Sequence, residues 1–370
     1  MTGQTHRKSG AGHQQPPLPR LHYLPVHPEG SLMNTAFVAV QVYWTMQSIH
    51  FGSNSLLNGI RRAIKARELH DKNDAGYRRV IDDPKNTEHE DIPIEACFKY
   101  VTLLNLRNWA KLDGSKGARY VTEQIYVHTK VMIVDDLYAL LGSANINDRS
   151  LLGERDSEIA VLVMDGDASR ADTCGTGSKA AVRAFAHDLR KKIWSKLFEI
   201  TGGIRPATHL KNAIEQPGIP DSWRLIQAQA EKNASAYESV FNYIPGNWSA
   251  TPTGDRVPAS IVPNWDLNKR KPDSEDKELG YPASPLPFMP EFWRSSMHVS
   301  HQTQSLERVK GFFVALPVYW TKGEMNRFAY PTSMVAHNAP PRKVIDIQTP
   351  KQVQVAQRAL SEVSPARGQV

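Results

Sequence analysis

Cysteine is nearly absent: the 370 residues hold two, Cys97 and Cys174, and neither sits in a CxxC pair. No Cys/His group has zinc-site spacing, so neither a disulfide scaffold nor a structural zinc module can carry the stability. Two buried thiols in a reducing compartment are the expectation. Long apolar runs are also missing. No stretch approaches about 18 consecutive apolar residues, the length at which a spanning helix is read. The opening MTGQTHRKSGAGHQQPPLPR has no apolar core of the signal-peptide kind, which argues against classical secretion. The expected location is cytoplasmic or peripheral to a membrane, with export by a non-classical route as the alternative. There is no acidic excess either. The formal net charge is +7 and the pI about 9.2, which suits an anionic partner such as phospholipid headgroups or nucleic acid. It does not choose between them. No internal repeat is visible.

What is present is ordinary for a globular chain: 40% hydrophobic and 22% charged residues. Residues 1–20 read as a disordered leader and 21–245 as one catalytic lobe. Residues 246–305 read as a Pro-rich extended arm, 306–334 as a carboxy-terminal strand element and 335–370 as a loose tail. Within the lobe, strands are expected at Leu21–Val26, Phe98–Leu106, Ile125–Val134, Leu137–Leu141 and Glu158–Met164. Helices are expected from Asn34, over Asn54–Ala66, over Ser178–Ile200 and over Ser222–Tyr243, with Ser222 as cap. The Ser178–Ile200 helix has an apolar stripe of Val182, Phe185, Leu189, Ile193 and Leu197, with Arg190, Lys191 and Lys192 beside it. Glu68–Ile92 reads as a solvated loop, and Leu306–Trp320 returns to strand character. The class is α/β: a mixed central sheet flanked by helices, with an extended carboxy-terminal arm.

The chemistry concentrates in HTKVMIVDDLYALLGSANINDRS, residues 128–150. His128 and Lys130 are two apart on an expected strand, so both side chains leave one face, while Val127, Thr129, Val131 and Ile133 leave the other. Such a pair suits a phosphate. Lysine brings a compact positive charge to the non-bridging oxygens, and histidine brings a nucleophile or a transferable proton near neutral pH. Asp135 completes HxKxxxxD. The next strand ends in Gly142-Ser143-Ala144-Asn145, where glycine lets the backbone approach a ligand and Ser143 and Asn145 can add neutral hydrogen bonds. Glu158 is placed to accept a proton from the second ring nitrogen of His128 and fix its tautomer. A bare HxK is common by chance. His70–Lys72 and His209–Lys211 are two more, and neither has Asp five residues after the lysine.

The stretch IYVHTKVMIVDDLYALLGSANINDRSLLGERDSEIAVLV resembles the second HKD motif of the phospholipase D family, in its eukaryotic-type branch. AVQVYWTMQSIHFGSNSLLNGI, EKNASAYESVFNYIPGNW and VKGFFVALPVYW extend the likeness over roughly 21–334. The resemblance implies one lobe of the phospholipase D fold acting on phosphatidylcholine-like lipids at a membrane surface, giving phosphatidate and a free headgroup alcohol. No metal or other cofactor is implied. His128 would be general acid for the leaving alcohol and then base for water. Lys130 and Asn145 would hold the phosphoryl oxygens, with Ser143 beside them. Asp135 would brace the strand turn and Ser143, and Glu158 would orient His128. The sequence departs from the family in holding one HxKxxxxD, where the family has two and takes its nucleophile from the first. The implied partner is a second HKD lobe, supplied by another chain or by a homodimer. Two alternatives stay open: an HKD-type nuclease, and a truncated non-catalytic fragment that binds lipid or a partner. Against the nuclease stand the GSANINDRS wording and the lack of a dense Lys/Arg stripe with interleaved aromatics.

Overall fold

The computed structural model describes residues 20–23, 45–83, 85–114, 117–146, 148–151, 156–241, 244–250, 256–258, 299–320 and 322. The expected leader, the tail, most of the arm and most of the helix begun at Asn34 lie outside them. Of that helix, the described part is a π-helical turn over Gln47–Phe51.

Ser55 starts the first long helix. Its hydroxyl accepts from Asn58 N at 3.3 Å and donates to His50 O at 2.8 Å, filling the N-cap. Helix α1 then runs Leu56–Asp71 and buries Leu57, Arg62 and Ala66. It overruns the expected end at Ala66 and enters the stretch read as a solvated loop. That reading is corrected further along. Helix α2, Tyr77–Asp82, and a 3-10 turn at Glu88–Asp91 fold back onto α1. Val80, His89 and Ile92 are buried there, while Arg61 donates to Ile92 O at 2.7 Å and Glu90 O at 2.5 Å. The charges that suggested a loop lie on the outside of a small helical layer with a sparse apolar inside.

Strand β1 (Arg20–Tyr23) pairs parallel with β2 (Val101–Gly114). Strand β2 begins after a 3-10 turn over Ile94–Lys99 and extends eight residues beyond the expected Leu106. Strand β3 (Gly117–Gln124) returns antiparallel along its second half. Strands β4 (Lys130–Val134), β5 (Tyr138–Gly142) and β6 (Ala160–Val163) form a separate antiparallel sheet, with the short helix α3 (Asp148–Leu151) between the last two. The expected Ser178–Ile200 helix is corrected at its start. Ala180–Arg183 is strand β8, paired with β7 (Ala168–Ala171), and helix α4 covers Ala184–Leu197. Its buried residues are Ala186, Arg190 and Trp194, one position round from the apolar stripe, and Phe185 is exposed. The reason is a buried ion pair made by Arg190, described below.

Helix α5 (Lys211–Glu215) leads to α6 (Pro220–Val240). Ile219 holds the N-cap position and Pro220 opens the helix, a favoured start because proline's missing N–H has no partner there. Ser222 is no cap; its hydroxyl donates to Gln216 O at 2.9 Å. Short strands β9 (Trp248–Ala250) and β10 (Arg256–Pro258) pair with each other. The Leu306–Trp320 strand expectation is corrected to helix α7 (Val299–Leu306) and a short strand β11 (Phe313–Ala315). Strand β11 pairs antiparallel with β2 on the side opposite β1. One core cluster packs Leu104, Leu106 and Phe313 against Trp194, Phe198, Trp223 and Ile226. Each such fully buried side chain stabilises by roughly 1.5–3 kcal/mol. Asn233, fully buried, donates to Lys310 O and Phe313 O at 2.8 and 2.7 Å and so pins β11 to α6.

Candidate active site

The β4–β5–β6 sheet places the motif. Its register sets Lys130 beside Gly142 and Gly142 beside Ala160. The entry to β4, the exit from β5 and the entry to β6 therefore meet at one end of the sheet. His128 lies two residues before β4, Ser143 and Asn145 follow β5, and Glu158 lies two residues before β6. His128 thus precedes an edge strand, with β5 at the centre of the sheet, where the expected strand from Ile125 would have contained it. The His128 ring lies 6.0 Å from that of Tyr126. Rings at i and i+2 on one side agree with an extended chain and its period of two. Lys130 Nζ donates to His128 O at 2.7 Å, tying the lysine head to the histidine backbone.

Gly142 is required by packing. A Cβ there would lie 2.7 Å from Ile159 O and 3.1 Å from the Ala160 Cβ. The absence of a side chain lets β5 and β6 close at the site end, and Ser143 exploits that approach. Ser143 N donates to Ile159 O at 2.9 Å, and Ile159 N donates to Ser143 Oγ at 3.0 Å. The Ser143 hydroxyl also donates to Glu158 Oε2. Ser143 and Glu158 are brought together as a hydrogen-bonded pair on the exposed surface, and Asn145 is exposed two residues further on.

At the far end of the hairpin, Asp135 and Asp136 both take positive φ, 53° and 55°. Leu137 N closes the turn onto Val134 O at 2.9 Å. Two left-handed residues match the right-handed twist of the strands, and aspartate is among the few non-glycine residues that visit this region. The two carboxylates then part. Asp135 is exposed. Asp136 is buried, with 1% of its surface accessible. It accepts from Arg190 at 2.7 and 2.8 Å and contacts His187 Nδ1 at 2.8 Å. Arg190 also donates to Ile214 O at 2.6 Å and lies over the Trp194 ring. The brace expected of Asp135 is made by its neighbour, through a bidentate fork that only the inward carboxylate can reach. Asp136, Arg190, His187 and Tyr126 were missed from sequence. The Asp-Asp doublet, and an arginine four residues after Ala186 and four before Trp194, were the available signals.

The described residues hold no group of three or more His, Cys, Asp or Glu fit to bind a metal ion. Among them, no helix is long and apolar enough to cross a membrane.

A strand-end histidine and lysine, a Gly-Ser turn and a hydrogen-bonded glutamate now have a match. The phospholipase D sequence profile fits residues 24–247. The chain belongs to the phospholipase D family. It is 39% identical over 156 residues to phospholipase D C of Dictyostelium discoideum, covering 41% of this chain and 9% of that protein. It is 28% identical over 287 residues to phospholipase D zeta 1 of Arabidopsis thaliana, covering 76% and 22% respectively. Phospholipase D2 of Bos taurus is 38% identical over 148 residues, covering 40% and 15%. The chain spans less than a quarter of the length of each of these relatives.

Proposed function

We propose that this chain is a phospholipase D-type phosphodiesterase lobe that hydrolyses phosphatidylcholine-like lipids to phosphatidate and the free headgroup alcohol. The observation that supports it is the meeting of His128, Lys130, Ser143, Asn145 and Glu158 at one end of one three-stranded sheet. A nucleophilic histidine from a second HKD lobe attacks phosphorus, the bond to the headgroup oxygen breaks, and His128 gives its proton to that oxygen. Water then attacks the phosphohistidine, and His128 takes the water proton, which returns both histidines to their starting states. Lys130 and Asn145 hold the non-bridging oxygens, where charge persists through both steps. Glu158 orients the His128 ring and Ser143 fixes Glu158. Asp135 and Asp136 act at the far turn. The lobe works at a membrane surface, to which the net charge of +7 draws it.

Headgroup release from phosphatidylcholine vesicles, with plasmid nicking run in parallel, tests the reading. His128-dependent headgroup release supports it. Nicking without headgroup release would replace it with the nuclease reading. Neither activity at any protein concentration would replace it with the non-catalytic one.

A further inference from the structure

We infer that Tyr126 is a specificity-determining residue, whose exposed ring face receives the quaternary ammonium of the headgroup while His128 protonates the headgroup oxygen. The inference rests on the reading above and adds a residue for the cationic end of the substrate.

The backbone fixes where the ring points. Ile125 N donates to Leu106 O at 2.9 Å, and Ile125 and Val127 pack against the core cluster around Trp194 and Phe198. Alternation along an extended chain then sends Tyr126 and His128 outward. Tyr126 is 58% exposed, so its ring adds little to the core. The ring beside it is that of His128, 6.0 Å away with the planes tilted by 31°.

Order along the chain carries the inference. Tyr126, His128 and Lys130 leave one side in turn, each two residues from the next. Phosphocholine carries its groups in the matching order: non-bridging oxygens, ester oxygen, then a cation two carbons further on. With Lys130 on the non-bridging oxygens and His128 on the ester oxygen, the cation falls on the flank where Tyr126 stands.

The distances agree. The ester oxygen must lie about 2.6–3.2 Å from a His128 nitrogen. Two carbons set the cation roughly 3–4 Å beyond that oxygen at ordinary bond lengths. A cation within about 6 Å of a ring centroid is attracted by the ring quadrupole, and the 6.0 Å between the two rings brings the headgroup cation inside that range. Hydration then decides between headgroups. A quaternary ammonium has no N–H and gives up little on leaving water for an aromatic face. A primary ammonium is compact and strongly hydrated, with three donors to satisfy, and gains less from the same ring. Tyr126 therefore favours choline over ethanolamine.

Binding of phosphocholine and phosphoethanolamine to the whole chain, by NMR shift titration, tests this for wild type, Tyr126→Phe and Tyr126→Leu. The two probes share one phosphate and differ only in N-methylation. Ile125 and Val127 carry the local packing, so both variants keep the fold, which circular dichroism checks. Wild type and Tyr126→Phe are expected to favour phosphocholine by about 2- to 30-fold, the range of a cation–π contact. Tyr126→Leu should lose that preference and leave phosphoethanolamine binding unchanged. A wild-type chain that binds neither probe, or both equally, would overturn the inference. So would an equal loss for both probes in Tyr126→Leu, which marks a general surface role for the ring. A Phe variant as weak as the Leu variant would assign the effect to the hydroxyl and overturn it too. Headgroup release with a second HKD lobe supplied separates this from the reading it rests on. Equal release from phosphatidylcholine and phosphatidylethanolamine, unchanged in Tyr126→Leu, sinks the tyrosine's role and leaves the activity standing. A Tyr126-dependent preference for phosphocholine with no release does the reverse.

Discussion

Asp136 and Arg190, 54 residues apart in the chain, are joined by two hydrogen bonds of 2.7 and 2.8 Å and are both buried. The pair fastens the hairpin that carries Lys130 to helix α4 at the end remote from the site. Strand β4 lies between this anchor and Lys130, four steps from Lys130 to Val134 or roughly 14 Å at about 3.4 Å per residue. It therefore sets the tilt of β4 without touching a substrate.

Asp→Asn at positions 135 and 136 separates the two carboxylates cleanly. Asparagine tolerates the left-handed backbone as aspartate does, so each change removes a charge and little else. Asp136→Asn leaves Arg190 buried without its anion and is expected to cost about 3–5 kcal/mol. Asp135→Asn, on the exposed side of the turn, is expected to cost under about 0.5 kcal/mol. Urea denaturation of both variants decides. Equal losses would mean that Asp135 shares the brace.

Gly142→Ala places a methyl 2.7 Å from a backbone oxygen of β6, which no rotamer change relieves. The β5–β6 seam must open, and the Ser143–Ile159 hydrogen bonds weaken with it. The expected loss is about 1–3 kcal/mol, the usual range for overpacking. It should come with faster hydrogen exchange at the Ser143 and Ile159 amides. Unchanged exchange there would show that the seam does not depend on this close approach.

The motif region was legible in the sequence because its signals are local. Turn residues between two short apolar runs gave the β4–β5 hairpin, and a glycine before a serine gave the close approach at its end. The 3.6-residue period gave α6, and α4 in its helical part. What was illegible depends on partners distant in the chain. Arg190 beside two lysines reads as solvated until Asp136 arrives from 54 residues away. The Glu68–Ile92 segment reads as a loop because its few buried residues, Val80, His89 and Ile92, find cover only on α1. Ala180–Arg183 carries helix-forming alanines, and its pairing with Ala168–Ala171 overrides that local preference.

Cys97 is fully buried, and burial pushes its thiol up to about 11. Its sulfur approaches Leu57 O at 3.6 Å. Near pH 8 almost none of it is thiolate, the reactive form. A thiol reagent at that pH should modify Cys174, which is partly exposed, and reach Cys97 only after denaturant is added. Rapid double labelling of the native chain would contradict the burial.

Stability should fall with acid through two buried histidines. Burial depresses His50 below the ordinary 6.5; the Val318 carbonyl at 2.6 Å offsets part of this, and Arg61 and Lys322 push it further down. Burial, then Arg62 and Arg61, depress His89 likewise. Both are neutral when folded at pH 7. Below about 6.5 the unfolded chain takes up protons that the folded chain refuses, so the stability present above 6.5 is lost as pH falls toward the folded values. The urea midpoint should therefore drop between pH 7.5 and pH 5.5, and His50→Gln should flatten that slope. A midpoint that rises as the pH is lowered would refute it.

His128 and Lys130 should fail differently. His128→Asn keeps nearly the same shape and removes the transferable proton. Headgroup release with a second HKD lobe supplied should then fall by at least about 10²–10⁴-fold, the usual contribution of a general acid or base. The fold should persist. Lys130→Ala removes a charge-assisted contact worth about 1.5–3 kcal/mol, so kcat/KM should fall about 10- to 150-fold. His70→Asn, in an HxK that no aspartate completes, serves as control and should leave turnover unchanged. Steady-state headgroup release for the three variants, with oligomeric state measured alongside, separates these roles. Equal losses at His70 and His128 would mean that the assay reads stability and that His128 carries no proton in the reaction.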